Sequence, residues 1–217
     1  GSRRQADAEP VSTACPALDR LLPGGGLTRG TLVEWLTGGE GGGTVTLALR
    51  VAREACRDLG VLVVVDSRGE FYAPAVLRMG LEPERIVVVR PSGRADFVWA
   101  LDQALRCPAV PATLAWVEGL DGRTFRRFQL AAEQGASLGL LVRPAEARRE
   151  PSWADVRLLV EPRPSAGVPG RRLGIHVLRC RGGADGQSLE VVLDDETRGV
   201  HLAPRLAKPT RGRRAGA

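Results

Sequence analysis

Apolar positions in the first two thirds of the chain form two kinds of segment that alternate with each other. Short continuous apolar runs, such as Leu62-Val63-Val64-Val65, are typical of strands buried on both faces of a parallel sheet. Longer segments repeat apolar residues with helical periodicity. The predicted strands cover residues 31–36, 62–65, 86–89, 113–118 and 138–142, and the predicted helices cover residues 12–23, 44–59, 72–79, 95–106 and 122–135. This order predicts a mostly parallel, twisted sheet with helices on both faces.

The pattern changes after Arg143, where no further helical segment is predicted. Four more strands are predicted over residues 154–161, 172–180, 188–194 and 198–202. Turn clusters such as Arg181-Gly182-Gly183-Ala184-Asp185-Gly186 separate them. Because strands joined by short turns pair in opposite directions, we expect antiparallel strands at this end of the sheet. The predicted fold class is therefore α/β, with Ser12 and Thr13 as candidate caps of the first helix.

The composition is typical of one domain. At 217 residues with 43% apolar composition, the chain can bury one sizeable core. We expect a folded domain over residues 12–204, preceded by a disordered segment over residues 1–11 in which Gly1-Ser2 resembles the remnant of a cleaved tag. Residues 205–217 are rich in Pro, Gly and Arg, and we expect them to form a disordered basic tail.

The net charge of +6 is concentrated in that tail. Its cations are Arg205, Lys208, Arg211, Arg213 and Arg214. The rest of the chain is nearly neutral, so the charge favours DNA or an acidic partner at the tail and not along the whole domain. No run of about 18 apolar residues indicates a membrane span, and no signal peptide is recognised, so we expect a cytoplasmic protein without a membrane partner.

The four cysteines give no sign of a metal centre or a disulfide framework. They are Cys15, Cys56, Cys107 and Cys180, and they lie far apart without a C-x-x-C pair. We interpret them as buried, reduced thiols. His176 and His201 have no nucleophile or ligand spacing around them and are interpreted as structural.

A phosphate-loop frame lies between the first predicted strand and the helix that begins near Thr44. A working loop reads G-x-x-x-x-G-K-[ST], in which the lysine reaches the phosphates and the hydroxyl binds Mg²⁺. Here Gly38 and Gly43 keep the frame, but Thr44 replaces the lysine and Val45 the hydroxyl, and Thr46 follows. The only lysine of the chain is Lys208, so no neighbouring lysine substitutes for the missing one. Backbone N–H groups could still hold an anion, but an inherited structural turn is the favoured interpretation.

Three segments together resemble the core of the RecA recombinases. They are Thr13-Ala14-Cys15-Pro16-Ala17-Leu18-Asp19, Gly24 to Gly30 followed by Leu32-Val33-Glu34, and the loop from Gly38 to Thr46. The resemblance covers residues 12 to 202 and implies a RecA-like fold. Where that family has a catalytic glutamate two residues after the strand-end acid Asp66, this chain has Arg68. Glu118 falls at the position of the family's Mg²⁺-organising aspartate.

Two arrangements remain open for the acids at these strand ends. Asp66, Glu70 and Glu118 could surround a metal ion, because the carboxyl ends of parallel strands meet at one edge of the sheet. The favoured alternative is an ion pair of one or more of these acids with Arg68. Neither arrangement predicts nucleotide chemistry, so we expect no cofactor, no catalytic residues and no small-molecule substrate.

The chain is also similar to the ImuA family, whose members combine a RecA-like core with a degraded phosphate loop and short DNA loops. That resemblance implies a non-catalytic accessory protein of SOS-induced, error-prone translesion synthesis, with an ImuB-like protein as partner and RecA as a second candidate. Two alternatives remain open. One is a weak ATP-dependent DNA-binding protein that uses Glu118, and the other is a division inhibitor similar to SulA.

The four tryptophans are candidate base-stacking groups. Trp35 and Trp116 lie in predicted strands and Trp99 on an apolar helix face, so these three are predicted to be core residues. Trp153 lies near Arg148 and Arg149, where the RecA resemblance places a shortened second DNA loop. The candidate contacts for a partner or DNA are therefore Arg148, Arg149, Trp153 and the tail cations.

Overall fold

The structure is a computed structural model of the 217-residue chain and describes residues 9–39, 43–58, 60–164, 169–183, 185–194 and 199–203. These residues form one sheet of nine strands flanked by helices. The strands are β1 (Leu32–Thr37), β2 (Leu62–Val65), β3 (Ile86–Val89), β4 (Ala112–Trp116), β5 (Leu138–Pro144), β6 (Val156–Arg163), β7 (Arg171–Cys180), β8 (Ser188–Leu193) and β9 (Val200–Leu202). The α-helices are α1 (Pro16–Asp19), α2 (Thr44–Ala55), α3 (Ala73–Arg78), α4 (Arg94–Arg106) and α5 (Gly122–Gly135).

The strand order is β3-β2-β4-β5-β1-β6-β7-β8-β9. From β3 to β6 in this order, every pair of adjacent strands is parallel. The last three strands, β7, β8 and β9, continue the sheet in antiparallel pairs. The predicted fold class, mostly parallel with an antiparallel C-terminal end, is thus confirmed. The change of direction occurs after β6, which still pairs in parallel with β1.

The two faces of the sheet have separate apolar cores. On one face, α2 buries Leu47 and Val51 against strand residues such as Trp35 and Val64. On the other face, α4 and α5 bury residues such as Leu101, Phe125 and Phe128 against the strands. Gly139 of β5 lets α4 approach closely, because a Cβ there would lie 2.9 Å from Leu105 Cδ2. Each fully buried Val, Leu or Phe side chain of these cores contributes about 1.5–3 kcal/mol to the stability of the fold.

The first helix differs from its prediction. A helix was expected over residues 12–23, whereas α1 covers only Pro16–Asp19 and begins after Cys15, which provides no side-chain cap. Ser12 and Thr13 bond Asp19 instead: Ser12 Oγ donates to Oδ2 over 2.7 Å, and the Thr13 N–H and Oγ1 donate to Oδ1 over 2.8 and 2.7 Å. These hydroxyl groups therefore fix a turn around Asp19, which competes with helix for the same residues.

The described part of the chain begins before the predicted domain boundary. Val11 is buried and pairs with Leu27 in an antiparallel bridge, so it belongs to the folded region although it was expected to precede it. Residues 1–8 and the predicted basic tail with its five cations lie outside the described residues. Within the described residues, no helix is long and apolar enough to cross a membrane.

The cysteines follow their prediction with one exception. Cys15, Cys56 and Cys180 are buried free thiols, and Cys107 is exposed after the last turn of α4. Burial raises the pKa of the Cys56 thiol to about 11, so this group stays protonated at neutral pH. The prediction of burial was wrong for Cys107 because the chain leaves the helix there and runs along the surface.

Candidate functional site

The glycine loop is described at both of its ends, Gly38-Gly39 and Gly43, while Glu40, Gly41 and Gly42 lie outside the described residues. Gly43 precedes α2 with φ +68°, in the left-handed region that favours glycine. A Cβ on Gly43 would lie 2.8 Å from a methyl carbon of Leu173 and of Leu193. Two apolar side chains of the antiparallel strands are thus packed against the turn that begins α2.

Gly38 is held by the neighbouring strand β6. Its N–H donates to Val160 O over 2.8 Å, and a Cβ on Gly38 would lie 2.6 Å from Glu161 Cγ. Together with the leucines at Gly43, this packing gives both glycines of the frame a structural reason to be glycine. The interpretation of the loop as a structural turn is consistent with these contacts.

The residues at the lysine and hydroxyl positions are directed towards the interior. Thr44 is 2% exposed, and its Oγ1 has no hydrogen-bond partner within the described part of the chain. Val45 lines a cavity beside the loop, and Thr46 is half-buried. Neither Thr44 nor Val45 provides a cation for a phosphate, and Val45 provides no oxygen for a magnesium ion.

Asp66, at the end of β2, organises the segment that follows it. Its carboxylate accepts backbone N–H groups of Arg68, Glu70 and Phe71 over 3.2, 3.0 and 3.0 Å. Burial raises the pKa of Asp66, but the three hydrogen bonds lower it by more, so the net pKa lies below the usual value. Asp66 is therefore an ionised loop anchor.

Arg68 bridges the two other acids. Its Nη1 donates to Glu118 Oε1, and its Nε lies 3.3 Å from Glu70 Oε1. The three side chains are about half exposed. Of the two arrangements left open by the sequence, the structure contains the ion pair, with a guanidinium between the carboxylates. Within the described residues, no group of three or more His, Cys, Asp or Glu side chains is placed to hold a metal ion.

A charge network centred on a fully buried ion pair lies beneath this edge of the sheet. The side chains of Glu34 of β1 and Arg143 of β5 are both 0% exposed, and Arg143 Nη1 donates to Glu34 Oε1 over 2.5 Å. Arg143 Nη2 also donates to Glu150 Oε2 over 2.5 Å. On the other side of Glu34, the Ser152 hydroxyl donates to Oε2 over 2.8 Å and the Arg157 guanidinium forms an ion pair with it.

The apolar pattern of the sequence does not predict this network, although Glu34 is a signal for it. Glu34 interrupts the apolar run of β1, and a buried acid requires a partner. The partners lie far away in sequence, since Arg143 follows Glu34 by 109 residues. Only the placement of β1 between β5 and β6 brings the three side chains together.

The candidate contact residues after β5 lie in a segment tied to that network. Arg148 and Arg149 are exposed, and Trp153 is 46% exposed with the Arg126 guanidinium 5.2 Å from its ring centroid. The segment is anchored from below, because Arg157 Nη2 donates to Ala147 O over 2.7 Å. An exposed aromatic ring and two exposed arginines are thus presented on a fixed support. The tail cations, the other candidate contacts, lie outside the described residues.

The other three tryptophans differ in their exposure to solvent. Trp35 is fully buried, as predicted. Trp116 is partly buried and lines the cavity beside the glycine loop. Trp99 is 63% exposed, so the prediction that it is a core residue was wrong. It lies on α4 three residues before Asp102, which faces Arg127 of α5, and its ring is left at the outer surface of the helix pair.

The cavity, of about 520 Å³, lies at the carboxyl ends of the parallel strands. Its walls come from the residues after β2, the segment between β3 and α4, the segment between β4 and α5, and the ends of β1 and β5. Ligand crevices of open parallel sheets occur at this edge. The cavity therefore joins the glycine loop, the bridged acids and the buried network into one candidate site.

Comparisons with known proteins agree with this architecture. The RadB recombinase crystal structure is similar to the chain with a TM-score of 0.69, 18% identity, and coverage of 89% of this chain and 100% of that chain, which supports a RecA-like fold. Over 110 residues, the chain is 27% identical to the RecA protein of Rhodopirellula baltica, covering 51% of this chain and 29% of that protein. No protein-family model matches the chain.

The match to ImuA extends over most of both proteins. Over 193 residues the chain is 30% identical to the protein ImuA of Caulobacter vibrioides strain NA1000 / CB15N, covering 79% of this chain and 78% of that protein. The ImuA of strain ATCC 19089 / CIP 103742 / CB 15 matches to the same extent. On the basis of this identity, its coverage and the RecA-like sheet, the chain belongs to the ImuA family.

Proposed function

We propose that the chain is a non-catalytic, RecA-like accessory protein of SOS-induced, error-prone translesion DNA synthesis. It would act by binding other proteins, with an ImuB-like protein as the first partner and RecA as the second. Membership of the ImuA family supports the biological setting. The observation that carries the non-catalytic role is the position of Arg68 between Glu70 and Glu118.

A guanidinium at this position opposes nucleotide hydrolysis in two ways. It cannot accept a proton from an attacking water, because arginine stays protonated in proteins. It also neutralises Glu118, the one acid that matches a magnesium-organising position in the RecA resemblance. With Thr44 at the lysine position, a nucleotide would lose both its phosphate cation and its metal.

The remaining surface is suited to macromolecular contacts. Arg148, Arg149 and Trp153 are exposed on a segment that buried arginines hold by an ion pair and a hydrogen bond, and rigid presentation lowers the entropy cost of binding. Aromatic residues and arginine are the side chains most enriched at the energetic centres of protein interfaces. The basic tail adds a salt-sensitive attraction for acidic partners or DNA.

Three measurements test the proposal. Calorimetric titration of the full chain with ATP and Mg²⁺ should give no binding at micromolar concentration, and phosphate release with single-stranded DNA should not exceed the buffer rate. Purified chain immobilised on beads should retain a purified ImuB-like protein. Micromolar ATP affinity, or DNA-stimulated phosphate release that Glu118→Ala abolishes, would support the ATP-dependent alternative. Retention of neither the ImuB-like protein nor RecA would remove the accessory role.

A further inference from the structure

The cavity at the carboxyl ends of the strands has an apolar interior. Val45, Phe97, Val98, Trp116, Leu120 and Val142 line it. Its volume of about 520 Å³ lies within the range of cavities that bind small organic groups or several side-chain atoms of a partner. Val45 occupies the position at which a phosphate loop requires a hydroxyl, so the same substitution that removes a metal ligand supplies apolar surface here.

Among the described residues at the mouth of the cavity, Arg94 is an exposed cation without an acidic partner. Arg94, exposed at the start of α4, donates from Nη2 to Gly119 O over 2.8 Å. No ion pair of Arg94 occurs within the described part of the chain. Arg68, the other exposed arginine at the mouth, is held between Glu70 and Glu118. A carboxylate entering the cavity mouth would therefore find its partner in Arg94.

We propose that this cavity binds an apolar side chain of the protein partner, adjacent in the partner's sequence to an acidic residue that pairs with Arg94. The inference rests on the proposed function, because it assigns the partner-binding role to a particular cavity. The apolar lining and the charges at the mouth favour a peptide over nucleic acid, since Arg68 is already paired with Glu70 and Glu118 and a phosphate backbone requires several available cations. A peptide needs to place only one carboxylate, against Arg94.

A dye that combines an apolar ring system with a negative charge, like the proposed peptide segment, provides the first test. Anilinonaphthalene sulfonate has an aromatic body and a single anionic group, and its fluorescence rises in apolar surroundings. We expect one saturable site per chain. Val98→Trp, which fills the cavity, should abolish this binding, and Arg94→Glu should weaken it about tenfold, equivalent to about 1.4 kcal/mol. Arg94→Lys should retain most of it. Leu130→Trp, an exposed change on α5, is the matched control and should leave it unchanged.

Binding of the purified ImuB-like protein to the full chain provides the second test. By biolayer interferometry, Val98→Trp and Arg94→Glu should each raise the dissociation constant about tenfold or more, and Leu130→Trp should not change it. The ImuB-like protein should also displace the dye. Val98→Trp could lower the stability of the domain. Arg94 is exposed, so its substitution should not affect folding, and Arg94→Glu then tests the cavity by itself.

The outcomes distinguish this inference from the function on which it rests. If the unmodified chain does not bind the ImuB-like protein or RecA, the proposed function fails and the inference with it. If the unmodified chain binds a partner and both cavity variants bind it with the same affinity as the unmodified chain, the inference alone fails. Displacement of the dye by single-stranded oligothymidylate, but not by the protein partner, would also overturn it in favour of a nucleic-acid site.

Discussion

Arg143 and Glu34 form an ion pair in which neither side chain is exposed, with Nη1 and Oε1 2.5 Å apart. The two residues lie on adjacent parallel strands, β5 and β1, and the pair is completed by Glu150 and Arg157. Each charge of the pair is desolvated, so each depends on the other for its remaining electrostatic stabilisation. The arrangement links the segment with the candidate contacts to the strand that leads into the glycine loop.

Removal of one partner of this pair should be strongly destabilising. Glu34→Ala leaves Arg143 and Arg157 without their shared carboxylate, and we expect the free energy of unfolding to fall by about 3–5 kcal/mol. Urea denaturation followed by circular dichroism measures this change. Glu118→Ala, which breaks an exposed ion pair, is the control and should cost less than about 1 kcal/mol. Equal losses for the two variants would contradict the special role of the buried network.

Gly43→Ala should destabilise the domain for two separate reasons. The backbone is in the left-handed region, and the new methyl group would meet the methyl carbons of Leu173 and Leu193. Gly69→Ala is a matched control, because Gly69 has φ +73° with no atom within 4 Å of the added Cβ. Strain alone should cost about 1–2 kcal/mol in the control, and the contact should add about 1–3 kcal/mol in Gly43→Ala. Equal melting temperatures of the two variants would exclude close packing at Gly43.

The pH dependence of stability should include a contribution from Asp102. Burial raises the pKa of this carboxyl, but hydrogen bonds and charges of Arg127 and Arg106 lower it by more, so the folded-state pKa lies below the usual value. Because the folded-state pKa is the lower one, the stabilisation is present above about pH 4 and is lost as the pH falls through the folded-state value.

Asp102→Asn should therefore lower the free energy of unfolding at pH 7 by about 1–3 kcal/mol. It should also reduce the difference in stability between pH 7 and pH 3, measured by urea denaturation at each pH. Asp58→Asn, a change at an exposed position, is the control. A variant whose loss at pH 3 equals its loss at pH 7 would show that the charge of Asp102 is not the cause.

Substitution of the two exposed tryptophans should show whether partner binding depends on Trp153 in particular or on any exposed aromatic ring. Trp153→Ala removes the ring over which Arg126 lies, and we expect it to weaken binding of the protein partner about tenfold, as is typical of an interface aromatic. Trp99→Ala removes a ring that is more exposed, on α4, and should leave binding unchanged. Both variants should lose less than about 1 kcal/mol of stability, measured by thermal unfolding. If Trp99→Ala weakened binding as much as Trp153→Ala, the contact surface would lie elsewhere.

Deletion of residues 205–217 should affect binding and not stability. The five tail cations would contribute a salt-dependent attraction, so the truncated chain should elute from DNA-cellulose or release its partner at lower salt. Its melting temperature should stay within about 1 °C of the full chain, because Leu206 is the only large apolar residue of the tail. A large drop in melting temperature would mean that the tail packs on the domain.

The amino-acid sequence determined the local features of this protein. Periodic apolar residues predicted the strands and helices of the α/β core, because the pattern of a strand or helix repeats over a few neighbouring residues. The glycine frame with Thr44 and Val45 in place of lysine and hydroxyl can be read directly, and so can Arg68 close to Glu70. The resemblance to the RecA and ImuA families was carried by the same short segments.

The tertiary structure decided which distant residues meet. The pairing of Glu34 with Arg143 and Arg157, and the bond of Arg68 to Glu118, depend on the order of strands in the sheet, which no local pattern encodes. The exposure of Trp99 depends on how α4 is rotated against α5, and the apolar cavity on how four segments meet above the strand ends. Burial and charge pairing are properties of neighbours in space, so they are fixed only when the chain is folded.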